Sequence, residues 1–117
     1  MSYSIRLYET CSTCGHREGD STDPTYNMAP MFRLALTPKS TGDGPHGVKA
    51  LHGRKGSETV EQLQAGLGAL SDPANARKLA EMEEACHGWG SIEGAKTVLR
   101  RLIQMAEAYP NAVWSVT

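Results

Sequence analysis

The sequence predicts a small α+β domain. Three observations carry this reading: apolar residues alternate with polar ones near both ends of the chain, they recur every three or four residues in the segments between, and 117 residues suffice for one core. A chain of this length buries roughly two-thirds of its unfolded surface, so residues 1–117 are expected to form a single domain without disulfides. The expected architecture is a small sheet that includes the N- and C-terminal strands, covered by three to four helices.

In chain order, residues 2–9 set Tyr3, Ile5 and Leu7 against Ser4, Arg6 and Tyr8, the period of a half-buried strand. Residues 10–24 are polar and turn-rich, which predicts a loop or a short hairpin. Met28, Met31, Phe32, Ala35 and Leu36 then carry helical spacing, with Asn27 placed to cap the helix and Pro30 confined to its first turn because it has no N–H to donate. Residues 37–56 hold five of the twelve glycines and read as a long surface loop, with Val48 and Leu51 its only sizeable apolar anchors.

Ser57 is placed to cap a second helix carrying Val60, Leu63, Leu67 and Leu70. Gly66 and Gly68 weaken that helix by about 1 kcal/mol each unless another backbone approaches there. Asp72-Pro73 starts a third helix with Ala76, Leu79 and Met82 on one face. Ser91 opens a fourth and longest stripe, in which Ile92, Ala95, Leu99, Leu102, Ala106 and Tyr109 face the core, and Pro110 ends it. The tail sets Ala112, Trp114 and Val116 on one side, which predicts a strand beside the first. Two strands alone are marginal, so a third is expected from residues 10–26, from the glycine-rich loop or from a second subunit.

Composition narrows the function classes. Twelve Lys and Arg against thirteen Asp and Glu give a net charge of -1, without the global basic footprint of a nonspecific DNA binder. The lack of an 18-residue apolar run argues against a membrane span or signal peptide. Three cysteines, an odd number, argue against a secreted disulfide framework and for a reducing cytosol.

Four groups of residues can carry chemistry. Cys11, Cys14 and Gly15 form C-x-x-C-G, half of a tetrahedral zinc site, with His16 and Cys86 among the available further ligands. Reduced thiols in a glycine-assisted turn need no metal at all. Lys49, Arg54 and Lys55 form the one basic cluster and suit phosphate, nucleic acid or an acidic protein surface, or else a solvated loop. The HGWGS turn at residues 87–91 lets backbone N–H groups converge at the start of a helix, which attracts anions, with Trp89 as a stacking surface or a core plug. Cys86 beside His87 is a thinkable nucleophile pair, although adjacent residues rarely bring the imidazole to the sulfur. The run Glu81, Glu83, Glu84 reads as a wet helix face. No paired carboxylates, G-x-S-x-G, H-E-x-x-H or dinucleotide fingerprint occurs, so a binding module is favoured over an enzyme.

The blocks DPTYNMAPMF at residues 23–32 and HGWGSIEGA at residues 87–95, with the C-x-x-C-G turn and the ending YPNAVWSV, resemble a group of small proteins of tailed bacteriophages and prophages. The likeness spans nearly the whole chain, with His87 and Asp23 standing where the group usually carries Asn. The resemblance implies a phage gene expressed in the bacterial cytoplasm, and it implies no activity. Physical reading of the two blocks places Tyr26, Asn27, His87, Trp89 and Glu93 as candidates for a shallow polar ligand site between two helix starts. The expected function is a phage accessory binding protein that blocks a host protein or sequesters a small, phosphate-bearing ligand. The alternatives are a zinc-stabilised nucleic-acid-associated protein and an enzyme of unknown reaction. A homo-oligomer is expected if a terminal strand leaves its edge open.

Overall fold

A computed structural model describes residues 3–11, 13–15, 17–25, 28–36, 47–86, 88 and 90–117. The fold is α+β, as the patterning predicts. Strand β1 (Ile5–Thr10) is the middle of a three-stranded antiparallel sheet, flanked by β2 (Arg17–Thr22) and β3 (Val113–Val116) in the order β2-β1-β3. Ile5 and Leu7 lie opposite Val116 and Trp114, so the alternating ends of the chain pair with each other and turn their apolar sides the same way.

Of the three expected sources for a further strand, the segment after Thr10 supplies it. Strand β2 reads REGDST and holds no apolar residue, so no alternation marks it. It becomes a strand because the chain reverses between Thr10 and Arg17, which pair with each other, and the ladder along β1 satisfies its backbone groups.

The outer edge of β3 is occupied. The N–H of Gly53 donates to Trp114 O at 2.9 Å, Trp114 N–H to Arg54 O at 2.9 Å, and Val116 N–H to His52 Nδ1 at 3.1 Å, while Lys55 bridges Val113. That leaves the edge of β2, lined by charged and hydroxyl side chains, as the one facing solvent among the described residues.

Helix α1 (Ala29–Leu36) has Pro30 in its first turn and buries Met31, Phe32 and Leu36. Its expected cap, Asn27, lies outside the described residues, as do residues 37–46 of the expected loop. The rest of that segment differs from a surface loop: Gly47–Leu51 is a 3-10 turn that sinks Val48 and Leu51 into the core, because those two apolar side chains gain more from burial than from water.

Helix α2 (Gly56–Ser71) begins one residue before Ser57, and no side chain caps it. The reason is tertiary. Gly56 N–H and Ser57 N–H donate to Ala112 O and Pro110 O, at 2.8 and 2.9 Å, so the connection into β3 satisfies the orphan donors that a serine would otherwise take. Asp72 does cap as expected, its Oδ1 accepting from Ala74 N–H at 2.9 Å, and a 3-10 turn at Pro73–Asn75 leads into α3 (Ala76–Ala85).

Helix α4 (Ile92–Ala108) starts at Ser91, whose Oγ accepts from Gly94 N–H, and buries Ala95, Leu99, Leu102, Met105 and Ala106. It forms the most extensive helix pair with α2. The core collects Ile5, Leu7 and Trp114 from the sheet with Phe32, Leu63, Leu99 and Leu102 from the helices; burial of each large apolar side chain contributes about 1.5–3 kcal/mol. Among the described residues no helix is long and apolar enough to cross a membrane.

Candidate functional site

The open face of the sheet follows from the pleat. Ile5, Leu7, Trp114 and Val116 point to the helices, so Arg6, Tyr8, Thr10, Arg17, Gly19, Ser21, Val113 and Ser115 point away. Lys55 joins them, since residues opposite one another across an antiparallel bridge share a face. The three strand carboxylates, Glu9, Glu18 and Asp20, have the other parity and stand on the helical side, where Asp20 pairs with Arg101 of α4. The outcome is a surface bearing three cations and no strand carboxylate.

Its centre is Tyr8. The Arg17 guanidinium lies 4.8 Å from the ring centroid, a cation–π contact, and the ring crosses β2 at Gly19. A Cβ at position 19 would stand 2.5 Å from Tyr8 Cδ1 and 1.9 Å from Leu7 O. Beside Tyr8 on β3, Val113 is 44% exposed, the one large hydrophobic residue so open among those described. Sequence reasoning placed Arg6 and Tyr8 on the outward side of the first strand and gave them no role. What it lacked was β2, which brings Arg17 across.

The basic cluster divides. Lys49 is exposed on the 3-10 turn and Lys55 is exposed at the sheet edge, whereas Arg54 is half-buried and engaged within the fold. Its guanidinium donates to Gln62 Oε1 and to Glu58 O, and Gln62 Nε2 in turn donates to Leu36 O at 2.9 Å, so Arg54 is tied to the end of α1.

At the hairpin tip, Cys11 and Cys14 are exposed thiols. Cys14 N–H donates to Cys11 Sγ at 3.4 Å and Gly15 N–H donates to Cys11 O at 2.9 Å. The Cys14 amide, then the Cys14 side chain, then the Thr13 amide favour the Cys11 thiolate and bring its pKa from the usual thiol range down to about 7. His16 lies outside the described residues, and Cys86 packs against the core at the end of α3. Among the described residues no three His, Cys, Asp or Glu side chains gather as a metal site.

Of the expected polar site between helix starts, Tyr26, Asn27, His87 and Trp89 lie outside the described residues. Glu93 is exposed and pairs with Lys96 at 3.3 Å. The anion that the α4 N-terminus attracts is the chain's own: Glu83 Oε2 accepts from Ile92 N–H at 2.7 Å. Glu83 is therefore more than part of a wet helix face. Two open grooves of about 420 and 440 Å³ flank it, the first between α3 and α4 with Leu79 and Lys96, the second toward Gly88 and Gly90.

Comparison with protein-family models, with curated proteins and with solved structures finds no match to the chain.

Proposed function

We propose that the chain is a non-catalytic binding module, a bacteriophage accessory protein that occupies an acidic surface of a host protein through the open face of its sheet. One observation carries this reading: Arg6, Arg17 and Lys55 surround Tyr8 and Val113 on that face, with every strand carboxylate on the opposite side. Tyrosine and arginine are the residue types that anchor protein interfaces, because they bury large area with few rotors and keep a polar end. The chain as a whole has a net charge of -1, so the face is a local patch that orients a partner instead of a general attraction. Nucleic acid is disfavoured by the small number of cations and by Arg17 already stacking on the aromatic ring.

The test pairs wild type with Arg6→Glu/Lys55→Glu, both tagged, for capture from bacterial lysate treated or untreated with nuclease. The expected result is a protein held by wild type and lost by the variant, whose purified form binds wild type with a Kd at least about tenfold lower, the equivalent of 1.4 kcal/mol. Identical capture by both forms, or bound material that nuclease removes, overturns the reading.

A further inference from the structure

We propose that Cys11 and Cys14 are half of a tetrathiolate site for a thiophilic divalent cation, zinc by preference, and that a second copy of the chain supplies the other half. A C-x-x-C-G segment presents two sulfurs to one point when the backbone folds so that an amide reaches the first sulfur and the glycine takes a left-handed conformation. Here the Cys14 amide donates to Cys11 Sγ at 3.4 Å, the Gly15 amide donates to Cys11 O at 2.9 Å, and Gly15 has φ of 71°. Strand β2 follows the turn, not a helix, so the dipole that activates a thioredoxin-type dithiol is missing.

Strand β3 pairs with β1 only over Ile5–Tyr8, whereas β2 pairs with it through Thr10, so Glu9, Thr10, Arg17 and Glu18 extend past the three-stranded part as a two-stranded ribbon. The thiols stand at the end of that ribbon, with Cys11, Thr13, Cys14 and Gly15 all exposed. Zinc in a structural site takes four ligands in a tetrahedron. Two projecting tips meeting head to head bring four sulfurs together without forcing the helical layers into contact, and the twofold axis runs through the metal. Each sulfur gives its proton to water as its bond to zinc forms, so assembly releases protons and oxidises nothing.

The experiment titrates the reduced, metal-free full chain with Zn²⁺ alone, followed by calorimetry for stoichiometry and by sedimentation velocity for mass. One zinc per two chains, conversion of monomer to dimer, and reversal by chelator are expected. Co²⁺ in place of zinc should give the intense sulfur-to-cobalt absorption of a tetrathiolate. Cys11→Ser and Cys14→Ser should each abolish all of these while leaving the melting temperature of the metal-free protein in place; Cys86→Ser and His16→Ala should abolish none. One zinc per chain on a monomer, loss of binding in His16→Ala, or zinc retained by Cys11→Ser overturns the proposal.

Discussion

Trp114 is the largest fully buried side chain among the described residues, and its indole N–H reaches Thr59 Oγ1 at 2.8 Å while the Thr59 hydroxyl donates to Gly56 O at 2.8 Å. A single buried hydroxyl thus satisfies both an indole and a helix carbonyl. Replacing it with a methyl group of the same shape leaves the indole donor without a partner. Thr59→Val should therefore destabilise the protein by about 1–3 kcal/mol, read from the denaturant midpoint, and Thr59→Ser should restore most of the loss. Alternation in the tail already turned Trp114 inward. Its partner was not legible, because Thr59 lies 55 positions away and nothing in helix periodicity singles out a threonine. Cys11 yields a second expectation at this scale. A thiol reacts as its thiolate, and the folded turn holds Cys11 at about 7, so alkylation of the metal-free, reduced protein should rise with pH through a midpoint near that value. Unfolding in denaturant should move the midpoint upward toward an ordinary thiol; an unchanged profile would show that the turn's amides do not reach the sulfur.

Among elements, the two glycines of α2 look alike in the sequence and differ in space. A Cβ at Gly66 would stand 2.9 Å from Leu36 Cδ2 and 3.0 Å from Ala35 O, whereas one at Gly68 meets nothing within 4 Å. Gly68→Ala should stabilise by up to roughly 1 kcal/mol through helix propensity alone. At Gly66 the same gain is opposed by an overpacking cost of about 1–3 kcal/mol as the end of α1 is pushed away, so Gly66→Ala should be destabilising, and the pair of thermal midpoints should move in opposite directions. The long α4 helix and both terminal strands were readable because their apolar period is unbroken. Strand β2 was not, since a polar strand facing solvent on one side and Asp20–Arg101 on the other has no reason to alternate. Its existence rests on Gly19, where any side chain collides with Leu7 O and the Tyr8 ring. Gly19→Ala should detach β2 and release the Tyr8–Arg17 contact, visible as loss of amide protection along residues 17–22 while α4 keeps its own.

At the scale of the whole molecule, the charge distribution and the sheet edges set what surfaces remain for other molecules. Arg6 and Lys55 are both exposed, so Arg6→Glu/Lys55→Glu should change stability by no more than about 0.5 kcal/mol per site while reversing two of the open face's three positive charges. A larger fall in melting temperature would mean that the face has a structural duty. Composition conveyed only the near-neutral total; the segregation of cations from strand carboxylates required the register of three strands. The expected self-pairing through a terminal strand meets an obstacle at β3, because residues 52–55 already take its outward N–H and C=O groups.

Among the described elements, β1 at the middle of the sheet is synthesised before the helices and its neighbour β3 after them. During synthesis the hairpin can form early, yet the seat of Trp114 stays vacant and Ile5 and Leu7 lack a cross-strand cover until the final turn of α4 has passed. Pairing of Ile5–Tyr8 with Val113–Val116 across more than a hundred intervening residues raises contact order and slows closure. Maturation of this fold is therefore gated by β3, and a nascent chain stalled short of Trp114 would present its unfinished interior to whatever chaperone waits at the exit.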